Sequence, residues 1–527
     1  MTNHSSRGLW TDALVALGAL ALLAAPAQAM PVKVDGGRIE GQGADGLTVY
    51  KGVPFAEPPV GELRWRAPRP VKAWSGVRHA TTFAPACMQT GVSMPGETPP
   101  VVSEDCLYLN VWTPARVAGE RLPVLVWIPG GGFSNGSASM PLYWGDRLAK
   151  EGAVVVTVGY RVGPLGFLAH PELTAESPQH SSGNFGLEDQ IAALRWVQRN
   201  IAAFGGDPGR VTIGGQSAGA ISASILMASP LARGLFHRAI GQSGGLFEPL
   251  QLAPGYELAN AEREGVAYAT SVGARSLAEL RRLPASALLQ GKAEMISHPV
   301  IEPRVLPASP YDVFAAGRQH DVPILIGSNA DEARSLTALQ EVKAATFGED
   351  IARRWGPLPP EIIAAYPNST DEEARKARAD LERDLRFGWD MWAWARLQAA
   401  TGKGRVYYYR FGHEPPFPSG STYEGWGAAH FAELWYMFDH LDQEPWPWRA
   451  SDRALARAMT RYWMNFVRSG DPNGPGLPAW PAFSNSDSKV QQLRDPISVG
   501  GVVDLKTLQV FDAVYGRLRG APDKAGP

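Results

Sequence analysis

Apolar positions fall into two periods along this chain. Leu122-Pro123-Val124-Leu125-Val126-Trp127-Ile128 and Ala153-Val154-Val155-Val156-Thr157-Val158 are apolar almost without a break, the signature of strands covered on both faces of a parallel sheet. Val32-Lys33-Val34 and Leu47-Thr48-Val49-Tyr50 alternate, which predicts short half-buried strands beside the turns Asp35-Gly36-Gly37 and Asp45-Gly46. From Gly186 to Phe204 the pattern changes. Leu187, Ile191, Leu194, Val197, Ile201 and Phe204 recur at spacings of three and four, one face of an amphipathic helix that Gly205-Gly206 ends. Ala239–Gly241, Val322–Gly327 and Val406–Tyr409 predict further strands. Helical patterns over 257–289 and 344–397 lie between strands and predict insertions that shape an entrance, and a later helical run containing Tyr462 to Val467 stops at the loop Gly470–Gly476. The prolines between Tyr50 and Trp65 predict an ordered surface loop. Alternating strands and helices predict an α/β fold with a large, mostly parallel sheet flanked by helices, in which ligands sit beyond the carboxyl ends of the strands.

Composition narrows the function classes. The 527 residues have a formal net charge of −2 and no basic run, which argues against a nucleic-acid partner. There is no internal repeat and no linker rich in Gly, Ser or charge, so 30–527 is expected to be one domain. The apolar run Ala13 to Ala25 is too short to span a bilayer, and Ala27-Gln28-Ala29 follows it as an A-x-A cleavage site. The expectation is a signal peptide over 1–29 and an exported protein, secreted or periplasmic, with no membrane segment in its mature form. In that setting the only two cysteines, Cys87 and Cys106, read as a disulfide. Asn135-Gly136-Ser137 and Asn368-Ser369-Thr370 are glycosylation sequons if the host glycosylates; the Ala-rich leader favours a bacterial host.

Gly215-Gln216-Ser217-Ala218-Gly219 carries the candidate chemistry. It joins the strand-like Arg210–Ile213 to the helix-like Ala220–Leu226, and small residues flank the serine on both sides. A serine on such a tight turn projects its hydroxyl above the sheet at the positive end of a helix. A serine hydroxyl needs a base, a carboxylate to orient that base, and donors for the oxyanion. Pro129-Gly130-Gly131-Gly132-Phe133 follows an apolar strand and can turn its N–H groups inward, with the N–H of Ala218 as a second source. Glu332 and its neighbour Asp331 are both acid candidates, and spacing does not separate them. Among the histidines beyond them, His413, His430 and His440, the loop setting Gly427-Ala428-Ala429-His430-Phe431 favours His430. His430-x-x-Glu433 also fits a metal pair, but there is no H-E-x-x-H and no third ligand at a suitable spacing, so neither metal nor cofactor is expected.

Several stretches together resemble the type-B carboxylesterases, the esterase and cholinesterase family of the α/β-hydrolase fold. They run in family order from Lys51–Ala56 and Leu63-Arg64-Trp65, through Glu104–Val111, Gly130–Phe133, Tyr160-Arg161, Gly186–Gln190 and Phe204–Pro208, to Gly215–Ala220, Asp331-Glu332, His430 to Leu434 and Gly470–Asn473. The resemblance implies one α/β-hydrolase catalytic domain with Ser217, Glu332 and His430 as the triad and Gly131, Gly132 and Ala218 as oxyanion donors. It prefers Glu332 to Asp331 and matches Cys87 and Cys106 to a family disulfide. It implies hydrolysis of small-molecule carboxylic esters through an acyl-enzyme, and leaves the oligomeric state open. Two alternatives are a specialised form acting on bulky polycarboxylate esters, as fumonisin-type mycotoxin esterases do, and a non-catalytic binding protein on the same scaffold. Departures include Pro129 where many members carry His or Tyr, Gly159 for Asn, Ala333 for Gly, and Gln216 where cholinesterases carry Glu. Pro129 is expected to alter loop stiffness without loss of activity. A neutral Gln216 lessens repulsion of anionic esters and lowers attraction for cations.

Overall fold

The computed structural model describes residues 30–92, 94, 97–291 and 296–520, together with 1 and 2. Apart from those first two residues, the expected signal peptide at 1–29 lies outside the described residues. Eleven strands form one sheet: β1 (Gln42–Ala44), β2 (Leu47–Pro54), β3 (Tyr108–Thr113), β4 (Leu122–Ile128), β5 (Val154–Val158), β6 (Gly206–Gln216), β7 (Arg238–Gln242), β8 (Ile324–Asn329), β9 (Val406–Phe411), β10 (Val490–Leu493) and β11 (Ser498–Gly500). Their spatial order is β11-β10-β9-β8-β7-β6-β4-β5-β3-β2-β1. Neighbours from β5 across to β10 are parallel. Both margins are antiparallel, through β3, β2 and β1 on one side and β11 on the other.

The unbroken apolar runs are explained by burial on both faces. In β4, Val124, Val126 and Ile128 join one large apolar cluster and Leu125 and Trp127 join another. Ile324 and Ile326 against Leu325 divide in the same way. The amphipathic stretch forms the helix Phe185–Asn200 and a 3-10 turn, Ile201–Phe204, which Gly205 caps in the left-handed region at φ 80°. The predicted insertions are helical. Leu258–Ser271, Leu277–Arg282 and Ala285–Leu288 fill the first, and Phe347–Trp355, Pro360–Ala364, Asp371–Arg383 and Trp389–Thr401 the second. A π turn, Asp384–Gly388, joins the last two.

The loop expected from Tyr50 begins later. β2 continues to Pro54, with Val53 opposite Leu109 and Pro54 opposite Tyr108 after a register shift. A proline at the end of a strand, next to an irregularity, removes no ladder bond that matters. β10 and β11 had no clear signal, because Gln491 and Gln492 interrupt the apolar pattern. Among the described residues no helix is long and apolar enough to cross a membrane.

Candidate active site

The serine, the glycine loop and the acid all follow the carboxyl ends of parallel strands: β6, β4 and β8 respectively. Ser217 has φ 57° and ψ −126°, a backbone that a residue with a side chain rarely adopts. The turn is held by its N–H, which donates to the Gln242 carbonyl at 2.8 Å, and by its carbonyl, which accepts from Ile221 N–H at 3.0 Å. Crowding explains the flanking glycines. A Cβ on Gly219 would lie 2.1 Å from the Ile128 carbonyl oxygen, and one on Gly215 would lie 2.4 Å from the Gly219 carbonyl carbon. The helix Ala218–Ala228 starts directly after the serine, so the positive end of its dipole lies at Ser217.

Gly131 (φ 117°) and Gly132 (φ 59°) turn the loop after β4 through conformations open mainly to glycine. A Cβ on Gly132 would meet nothing within 4 Å, so its backbone borders open space. Two hydrogen bonds brace this loop. Tyr160 Oη donates to the Pro129 carbonyl at 2.8 Å, and Gly163 N–H donates to the Phe133 carbonyl at 2.6 Å. Cys87 and Cys106 form a disulfide. Two residues on, Gln89 exchanges two hydrogen bonds with the backbone of Gly136, at 2.8 and 2.9 Å. This tie between the disulfide loop and the glycine loop has no signature in the sequence.

The geometry separates the acids and the histidines. Glu332 is fully buried, and its Oε2 lies 2.6 Å from His430 Nδ1. Its Oε1 accepts from Asn329 N–H at 2.7 Å. Asp331 serves the backbone of the histidine loop: its carboxylate accepts from Ala428 N–H at 3.0 Å and pairs with Arg334 at 2.9 Å. His413 is held by Asp452 at 2.7 Å, and His440 lies between the Leu142 carbonyl at 3.0 Å and Asp146 at 3.1 Å. Of the three histidines, only His430 meets both Glu332 and the residue before Ser217. The Gln216 side-chain nitrogen lies 3.1 Å from His430 Nε2 and 3.4 Å from Nδ1. The Phe387 ring stacks on the imidazole with centroids 4.5 Å apart and planes 9° apart.

A second layer of buried polar groups supports these residues. Asn329 Nδ2 donates to the Ala429 carbonyl at 2.7 Å and to Glu433 Oε2 at 2.5 Å, so one side chain links the acid turn to the histidine loop. Glu433 Oε1 accepts from Gln242 Nε2 at 3.0 Å, and Gln242 Oε1 accepts from Trp463 Nε1 at 2.8 Å. Burial, with the nearby Glu332 charge adding to it, pushes the Glu433 carboxyl up to about 7. Asn329, Gln242 and Phe387 were not legible as site residues. The spacing His430-x-x-Glu433 was visible, but it marks this network: Glu433 takes Asn329 and Gln242 as partners.

The carboxylesterase family profile matches residues 28–509. The chain is 38% identical over 469 residues to a fumonisin B1 esterase of Sphingopyxis macrogoltabida, covering 85% of this chain and 83% of that protein. It is 35% identical over 509 residues to a cocaine esterase of Oryctolagus cuniculus, covering 91% and 94%. The solved structure of a Geobacillus stearothermophilus carboxylesterase superposes with a TM-score of 0.79 at 35% identity, covering 91% of this chain and 99% of that one. The chain therefore belongs to the carboxylesterase family and is a carboxylic-ester hydrolase.

Proposed function

We propose that Ser217 is the nucleophile of this esterase, His430 its general base and Glu332 the carboxylate that orients the base. The observation that carries this reading is the 2.6 Å contact between Glu332 Oε2 and His430 Nδ1, beside a serine on a strained strand-to-helix turn. With Nδ1–H donating to Glu332, Nε2 holds the lone pair that accepts the serine proton. Attack of Ser217 Oγ on the ester carbonyl forms the C–O bond and moves its proton to Nε2. The tetrahedral oxyanion then faces the N–H groups of Gly131, Gly132 and Ala218. His430 returns the proton to the alkoxide as the C–O bond to the alcohol breaks, and water repeats the sequence on the acyl-enzyme.

The Gln216 side-chain nitrogen, 3.1 Å from Nε2 and 3.4 Å from Nδ1, is nearly equidistant from the two ring nitrogens and so lies off the in-plane lone-pair direction of Nε2. Catalytic hydrogen bonds commonly close only when substrate arrives, so the Nε2 contact with Ser217 Oγ is expected to tighten then. A second reading concerns the substrate. The 38% identity to a fumonisin B1 esterase and the uncharged Gln216 beside the nucleophile favour polyanionic esters, such as polycarboxylates, among those accepted. Export to the periplasm or medium, ester hydrolysis without metal or cofactor, and the absence of nucleic-acid and membrane partners belong to the same proposal. A panel of esters varying in acyl length and charge, with Ser217→Ala as blank, tests it. Hydrolysis that persists in the blank contradicts the nucleophile, and rejection of every multiply charged ester contradicts the second reading.

A further inference from the structure

The π turn Asp384–Gly388 interrupts an otherwise continuous run of helix from Asp371 to Thr401. Such one-turn π segments shift the register of a helix face and concentrate at functional sites. This one is locked from beneath. Asp384 accepts from Arg383 at 2.8 and 2.9 Å and from Tyr366 Oη at 2.8 Å, and Arg383 reaches on to Asp504 at 2.8 Å. A Cβ on Gly388 would lie 2.5 Å from Asp384 Oδ1, so a larger residue there would press on the lock. The residue delivered by the turn is Phe387, 6% exposed, whose ring lies flat on one face of the His430 imidazole. Phe431 meets the same imidazole edge-on at 6.1 Å. The charged groups facing His430 are Glu332, bonded to Nδ1, and Glu433.

We infer that Phe387 is a positioning residue for the general base, presented by the π turn so that its ring face fixes the plane of the His430 imidazole and stabilises the imidazolium formed during each proton transfer. The inference rests on the reading of His430 as base. The physical basis is twofold. A parallel aromatic face restricts rotation of the imidazole about its Cβ–Cγ bond, which keeps Nε2 aimed toward the nucleophile. The same face carries the negative lobe of the ring quadrupole, which attracts a cation above it but does little for the neutral ring.

The test compares pH profiles of kcat and kcat/KM for a small neutral ester in the full-length enzyme, in Phe387→Leu and in enzyme carrying pentafluorophenylalanine at 387. The fluorinated ring keeps the shape but inverts the quadrupole, so it decides the question even if Phe387→Leu does not fold. With imidazolium stabilisation lost, the acid limb is expected to move to lower pH by about 0.4 to 1.5 units in both variants. Phe387→Leu should in addition lose about tenfold in kcat, with a smaller change in KM, because orientation is lost as well. An acid limb that stays in place with the fluorinated ring overturns the inference. A wild-type profile with no histidine limb between about pH 5 and 8 overturns the base assignment itself, and is distinguishable because it is seen without any substitution.

Discussion

The side-chain nitrogen of Gln216 lies 3.1 Å from Nε2 of His430, the ring atom that a general base must present to the nucleophile. An amide N–H is a good partner for the neutral imidazole and a poor one for the imidazolium, because both would then be donors. The residue before the serine therefore adds no negative charge beside the imidazole. Gln216→Glu replaces the donor with an anion at the same distance, which favours the charged ring. The acid limb of kcat/KM is expected to move up by about one unit or more, with neutral-pH activity reduced and multiply anionic esters losing more than neutral ones. Parallel pH profiles on a neutral and a dicarboxylate ester check this. An unmoved limb and an equal loss on both esters would count against the role given to Gln216.

Asn329 holds two segments in register. Its backbone N–H serves Glu332, and its side chain serves Ala429 and Glu433. Asn329→Ala leaves the buried Glu433 Oε2 without its donor, at a cost of about 1–3 kcal/mol, while the Ala429 carbonyl keeps only the Ala432 N–H. Because Ala429 precedes His430, loosening is expected to lower kcat about tenfold or more while KM changes less. Steady-state kinetics with a urea melt of the same variant separates the two effects. Full activity in a destabilised protein would show that Asn329 stabilises without positioning.

Glu433 and Glu188 give the stability a definite pH slope. Burial pushes both carboxyls up to about 7 from an ordinary 4.5. The folded chain keeps these protons between pH 4.5 and 7, where the unfolded chain has released them. Their contribution is thus fully present below pH 4.5 and is lost as pH rises through about 7. Glu433 has no solvent exposure, so its share is expected to be about 1–3 kcal/mol. Urea unfolding at pH 5 and pH 8 should show a drop that Glu433→Gln reduces. An identical drop in the variant would remove Glu433 from the account.

The chain shows its frame more openly than its site. Strands such as Leu122–Ile128 are legible because burial on both faces leaves no polar position in them. The glycines around Ser217 are legible because a Cβ there would collide with backbone. Residues acting through a third dimension leave no such trace. Gln89 reaches Gly136 across 47 positions, Asn329 reaches Ala429 across 100, and Phe387 meets His430 only because a π turn re-aims it. Asp331 and Glu332 adjoin in sequence, and only the direction each side chain takes assigns one to the loop backbone and the other to the imidazole. The prolines near Tyr50 misled for a related reason: a proline is tolerated at the end of a strand, which composition does not reveal.

The most direct test of the account is covalent labelling. An organophosphonate that traps the tetrahedral geometry, followed by peptide mapping, reads the identity of the nucleophile and the help it receives. The expected result is a single adduct on the peptide carrying Ser217, absent in Ser217→Ala and formed at least about a hundredfold more slowly in His430→Ala. An adduct on any other residue, or labelling of Ser217 at the wild-type rate without His430, would contradict it.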